Sequence, residues 1–242
     1  MNRDTALALG RVALAAAYPF LAHAASARAS GALAGFAIAD IALILLLPAL
    51  ARGRPRAWVL LAGVALAAAW LARTRYALVP LLLVPVLFVG LVAWGFARSL
   101  RAGQVPLISR IVSALEATEP AQLEPEVARY TRGLTGLWAV VLSVLALANL
   151  ALALLAVPGG LLATFAIHVP WPVGERLWSW CANGVTYGLV GGLMVVEFLY
   201  RSRRFPGRYH GPLDFARRMA ALGPGFWNGL FRDPSPRNGV ER

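Results

Sequence analysis

ARSLRAGQVPLISRIVSALEATEPAQLEPEVARYTRGLTGL, residues 97–137, is the only long polar interval between hydrophobic runs in this 242-residue chain. It carries Glu116, Glu119, Glu124 and Glu126, four of the chain's 11 acids, and Arg98, Arg101, Arg110, Arg129 and Arg132. Nearly all of the chain before it is apolar, and so is most of the chain after it. The stretch reads as a cytoplasmic joint between two membrane-embedded halves.

Composition supports that reading. The chain is 59% hydrophobic and 14% charged, with a mean hydropathy of +0.65. A water-soluble fold of this length needs far more polar surface. Apolar runs near the length a bilayer demands of a helix recur along the chain. They cover about Thr5–Ala25, Gly31–Leu50, Ala57–Ala72, Tyr76–Ala97, Leu134–Val157 and Leu177–Tyr200. The fourth spans about 33 Å as a helix, enough for the hydrocarbon core. These runs predict an all-α fold: a polytopic transmembrane helical bundle of about six helices, both termini cytoplasmic. The division expected is residues 1–97 as a four-helix membrane half, 98–133 as the amphipathic joint, 134–200 as a two-helix half and 201–242 as a basic tail.

The first run is ambiguous. Arg3 before it and Ala22-His23-Ala24 after it also fit a cleavable signal peptide. Arg11 inside the run argues instead for a retained helix that kinks near Pro19.

Arginine decides orientation. All 23 basic residues are Arg, and the net charge is +12. With the N-terminus inside and six crossings, only Arg28, Arg73, Arg75 and Arg176 fall outside. The positive-inside bias predicts such an asymmetry. Arg without Lys beside abundant Ala points to a GC-rich bacterial genome and hence to a multi-pass bacterial inner-membrane protein. The arginines lie at the ends of apolar runs, where anionic headgroups lie. That argues for membrane lipids as partners and against nucleic acid.

Inside the joint, Leu107, Ile108, Ile111, Val112 and Leu115 repeat at helical spacing. They predict a short amphipathic helix at the cytoplasmic interface, started by Pro106. A second helix is expected from Pro125 into the fifth run, with Glu124 and Glu126 at its positive end. Pro158-Gly159-Gly160 ends that run. Leu161–Val169 is too short to span, so an interfacial or re-entrant piece is expected, with Trp171, Trp178 and Trp180 at headgroup level. Residues 212–222 suit a short surface helix, Phe226, Trp227, Leu230 and Phe231 suit an interfacial contact, and Asp233–Arg242 reads as disordered.

Asp40 is the most informative single residue, because it falls mid-run in GALAGFAIADIALILLLPAL. A central Asp costs roughly 2.5–3.5 kcal/mol on insertion scales, so it should face protein and have a partner. It is either a proton, ion or substrate contact or a hydrogen-bonded strut between helices. Glu197 and Arg201 are four apart at the inner edge of the last run, which suits a depth-fixing ion pair. His23, His168 and His210 share no ligand-like spacing, and Cys181 is the single cysteine. These residues do not imply a metal site. His210-Gly-Pro-Leu-Asp214 is one residue too short for the His-x4-Asp acyltransferase motif. Cys181 reads as a packed thiol. Asn149 and Asn183 can hydrogen-bond between helices, and Gly184, Gly188 and Gly192 offer a smooth packing face. No phosphate loop or dinucleotide fingerprint is present, so no cofactor is expected.

FARSLRAGQVPLISRIV, LEPEVARYTRGLTGLW and VEFLYRSRRFPG together resemble a family of small bacterial inner-membrane proteins. Its genes often lie beside fatty-acid and aryl-polyene biosynthesis genes, and some members carry the label ketosynthase. The resemblance covers roughly residues 76–230 and rests on Ser99, Pro106, Arg110, Pro125, Glu126, Tyr130, Arg132, Trp138, Glu197 and Arg201, among others. Where the family has Pro-Pro-Glu, this chain has Glu124-Pro125-Glu126. The label itself fails on chemistry. A condensing enzyme needs an activated Cys with two His, or His and Asn, in a soluble core. The resemblance implies an accessory membrane component of acyl-lipid or aryl-polyene assembly or transport, without catalytic machinery. Arg110, Glu126, Tyr130, Arg132, Arg203 and Arg204 would then dock acyl carrier protein, other lipid-biosynthesis proteins or anionic headgroups. Two alternatives stand beside it: a lipid carrier or flippase using Asp40, and a membrane-embedded acyl or glycosyl transferase using Glu197 or His210 as base.

Overall fold

The computed structural model describes residues 3–169, 171–174 and 186–204, and in the tail 217–219, 221–223, 226 and 229. The expectations for Trp178, Trp180, Cys181, Asn183, Gly184, His210, Pro212, Asp214, Trp227, Leu230, Phe231 and the last ten residues lie outside that set.

The described chain is built of helices: α1 Arg3–Ala27, α2 Gly31–Ala51, α3 Pro55–Leu71, α4 Val79–Ser99, α5 Leu107–Leu115, α6 Pro125–Leu155, the single turn α7 Leu161–Thr164, and α8 Thr186–Arg204. A 3-10 turn covers Pro120–Gln122. Two-residue strands β1 Ala156–Val157 and β2 Val173–Gly174 pair in parallel, with Ala156 opposite Val173. Among the described residues four helices are long and apolar enough to cross a membrane: α1 from Thr5, α2, α4 and α6. At 17 residues α3 is shorter. The chain is all-α in class and built as a polytopic membrane protein.

Side-chain size supports the membrane reading. Most buried hydrophobics among the described residues are alanines, including Ala25, Ala34 and Ala37 at 0% exposure. The large apolar side chains point out instead, with Phe20 76%, Leu45 69% and Leu66 73% exposed. Water would expel those groups inward. Lipid does not, so association rests on small residues that let backbones approach. Trp58 and Trp70, near the two ends of α3, are both exposed, as interfacial anchors are.

Packing divides the chain into two units: residues 1–86 with 150–175, and residues 87–149 with 176–242. In the first, Ser30 caps α2 by accepting from the Leu33 amide at 3.4 Å. Gly31 and Gly35, one turn apart, face Ala72 and Ala68 of the α3 end. A Cβ on Gly31 would overlap the Ala72 carbonyl oxygen. Between α2 and α3 the chain reverses at Gly53 with φ +68°, and Pro55 opens α3, a left-handed stop followed by a pre-set start. Ala25, Ala34, Ala37, Ala77 and Leu81 form the core of this unit, with Tyr18 packed against it. After α6, the short return piece turns back at α7, and Phe165 stacks on Tyr76 at 5.0 Å. This is the non-spanning segment expected from its length.

In the second unit, α6 begins at Pro125 and runs unbroken for 31 residues, about 46 Å. The helix expected at the end of the joint and the fifth apolar run are therefore one element. Phe96 of α4 meets Trp138 of α6 at 6.5 Å. Asn149 turns back on its own helix, donating to the Leu145 carbonyl at 2.9 Å, and so does not serve as the interhelical strut its chemistry allows. Gly188, Gly191 and Gly192 have open space where a Cβ would stand.

Candidate functional site

The joint is built around α5. Pro106 precedes it and offers no side-chain cap, so the first amides need acceptors from elsewhere. Ser99 Oγ, at the end of α4, accepts from the Leu107 amide at 3.0 Å, and Thr135 Oγ1 of α6 accepts from the Ile108 amide at 3.3 Å. Thr135 in turn donates to the Thr131 carbonyl at 2.6 Å, and Thr131 Oγ1 lies 2.7 Å from Ser109 Oγ. Thr131 and Thr135 are fully buried. The apolar side of α5 closes against the protein as well: Val112 packs with Leu123 and Val127, and Ile108 and Ala128 flank them. The helix forms where the spacing predicts it in the chain, and its buried apolar positions pack on α6 and on Leu123 of the loop before it.

Arginines brace the loop between α4 and α5. Arg110 donates from Nε to the Val105 carbonyl at 3.1 Å and from Nη2 to Gln104 Oε1 at 3.3 Å. Arg132 reaches back from α6 to the Leu100 carbonyl at 3.1 Å. Gly103 turns this loop at φ +76°, a conformation that favours glycine. The Arg98 guanidinium sits 5.0 Å from the Trp94 ring centroid.

A clasp joins the start of α6 to the end of α8. The Tyr130 hydroxyl donates to Glu197 Oε1 at 3.0 Å, and the same oxygen is 3.2 Å from Arg201 Nε. Arg201 is only 9% exposed, and its guanidinium lies 5.9 Å from the Phe198 ring centroid. Tyr130 stacks on Tyr200 at 5.9 Å. One turn further out, Glu126 pairs with Arg204. Glu126 and Tyr130 thus meet Arg204 and Glu197 in reverse order, so α6 and α8 run antiparallel here. Helix polarity favours the layout, with Glu126 in the first turn of α6 and Arg201, Arg203 and Arg204 in the last turn of α8.

Of the residues singled out in the sequence, the structure brings together Glu126, Tyr130, Glu197, Arg201 and Arg204. Arg110 and Arg132 hold the joint, and Arg203 stands exposed beside the clasp, as do Arg101 and Arg129 within the joint. Asp40 belongs to the first unit. Sequence reasoning missed the hydroxyl set Ser99, Ser109, Thr131 and Thr135, although Thr131 and Thr135 at i, i+4 signal one helix face. His23 and His168 are exposed. Among the described residues no three His, Cys, Asp or Glu side chains converge. The arrangement can hold two helices in register and present guanidinium groups.

No protein-family model matches the chain, and neither a curated protein nor a solved structure does so.

Proposed function

We propose that this chain is a multi-pass bacterial inner-membrane accessory component of acyl-lipid or aryl-polyene assembly or transport, acting without chemistry of its own. Its joint-and-tail face docks an acidic partner: acyl carrier protein, another protein of lipid synthesis, or anionic headgroups. One observation carries the reading. Arg101, Arg129 and Arg203 are exposed on a framework that engages neighbouring charges internally, Arg201 by Glu197 and Arg204 by Glu126. Cations on a braced surface attract an acidic partner with little ordering cost.

The test is binding of purified, detergent-solubilised protein to acyl carrier protein and, separately, to vesicles with and without anionic lipid. The triple variant Arg101→Gln, Arg129→Gln, Arg203→Gln should weaken binding, and added salt should weaken it further. Unchanged binding in that variant removes the docking role.

A further inference from the structure

Asp40 raises a question the docking face does not answer. It lies on α2 one turn after Ala37, on the side where Ala34 and Ala37 meet Ala25, Ala77 and Leu81. It is 8% exposed, and its Oδ2 has no hydrogen-bond partner. A carboxylate that merely strapped two helices together would have its oxygens satisfied. An isolated ionised carboxylate away from water is far costlier than an unpaired neutral group, so some positive charge must accompany it.

The first unit does not supply that charge. Its described arginine side chains, Arg11, Arg28, Arg52, Arg54, Arg56, Arg73 and Arg75, are all exposed, and neither ion pair found among the described residues involves Asp40. The elements packed against α2 bring one titratable group to its level. On α1, the antiparallel register that sets Gly10 beside Leu47 of α2 also brings Tyr18 level with Asp40, and Tyr18 packs against the core of this unit. His23 and Arg11 on α1 are exposed. Within the helix, α3 offers only Arg56, in its first turn, and the part of α4 in this unit, residues 79–86, offers none. Proline frees acceptors in the same unit: Pro19 in α1 and Pro85 in α4 leave the carbonyls of Ala15 and Leu81 without their helical donors. Leu81 belongs to the same core as Ala34 and Ala37 of α2. A carboxylate oxygen, a phenol and freed carbonyls are hard oxygen donors, the set that suits a small hard cation.

We propose that Asp40 binds one small monovalent cation, a proton or a sodium ion, within the membrane-spanning part of the first unit. Tyr18 is its neighbour on α1. The cation supplies the charge that the described residues of this unit withhold, and because it is not covalently part of the protein it exchanges with the medium.

Dicyclohexylcarbodiimide tests this on the intact protein in micelles. The acid O–H adds across the carbodiimide, its proton moving to nitrogen, and the adduct rearranges to a stable N-acylurea with nothing lost. Mass spectrometry should place one added reagent on the peptide containing Asp40, with labelling lost as pH rises and absent in Asp40→Asn. Sodium against choline at fixed pH separates the sources: protection by sodium assigns the cation as sodium, and no protection assigns it as a proton. Thermal unfolding supplies a second readout. The wild-type midpoint should shift with pH or sodium, and that shift should vanish in Asp40→Asn. Absent labelling together with a midpoint whose pH and sodium dependence matches that of Asp40→Asn overturns the proposal.

Discussion

The Tyr130 hydroxyl and Glu197 Oε1 stand 3.0 Å apart across 67 positions of sequence, and Arg201 shares that carboxylate oxygen. Glu197 is therefore the centre of the clasp, taking a neutral donor from α6 and a cation from its own helix. Tyr130→Phe keeps the ring stacked on Tyr200 and deletes only the donor. It should lower stability by about 1.5 kcal/mol, the range for a hydrogen bond to a charged group. Glu197→Ala should cost more than Tyr130→Phe, because it leaves Arg201 almost buried without its carboxylate. Thermal unfolding in micelles ranks the two. The exposed Glu126–Arg204 pair should matter less, with Arg204→Gln costing under about 1 kcal/mol.

Thr135→Val keeps the shape of the side chain and removes the acceptor for the Ile108 amide. It should destabilise the joint by about 1–3 kcal/mol, the cost of a buried donor left unmade. Ser99→Ala should do the same to the Leu107 amide. Limited proteolysis between Leu100 and Leu123 should be faster in both variants. Unchanged cleavage would show that α5 is held by its apolar face alone.

Gly31→Ala should disrupt the junction of α2 with α3, since the added carbon would meet the Ala72 backbone. Gly63→Ala is the internal control: it sits inside α3 with open space around it, and alanine there should be neutral or stabilising by up to about 1 kcal/mol. Folded yield in detergent distinguishes them, and equal loss from both would mean that helix propensity rather than close approach governs these sites.

The arginine distribution predicts one orientation, which can be read directly. Reporter fusions at Gly53 and Gly103 should report the cytoplasm, and a fusion at Thr74 the opposite side. A fusion at Gly103 reporting the outside would reverse the threading.

The helices were legible because hydrocarbon makes a blunt demand. The run Gly31–Leu50 is the helix Gly31–Ala51, and Ala57–Ala72 is Pro55–Leu71. The start of α6 was readable from Pro125 and Glu126. The i, i+4 pair of Glu197 with Arg201 was also readable, since both ends lie on one helix. The pairing of Glu126 with Arg204 and of Tyr130 with Glu197 was not. Such contacts depend on which helices adjoin, and local periodicity carries no record of that. The hydroxyl caps of α5 escaped for a related reason: Ser99 and Thr135 look like ordinary polar residues until tertiary structure places them over another helix's amides. The amphipathic pattern of Leu107–Leu115 specified a buried face, yet periodicity alone could not say whether lipid or protein would cover it.

With 17 residues, α3 reaches only about 26 Å, less than the roughly 30 Å of a typical hydrocarbon core. Arg54 and Arg56 stand at one end and Arg73 at the other, so tilting would draw guanidinium groups towards the acyl chains. A bilayer that this helix crosses would have to thin locally, or the flanking arginines snorkel, to meet it. Thinning of that kind costs less in a short-chain membrane than in a thick one.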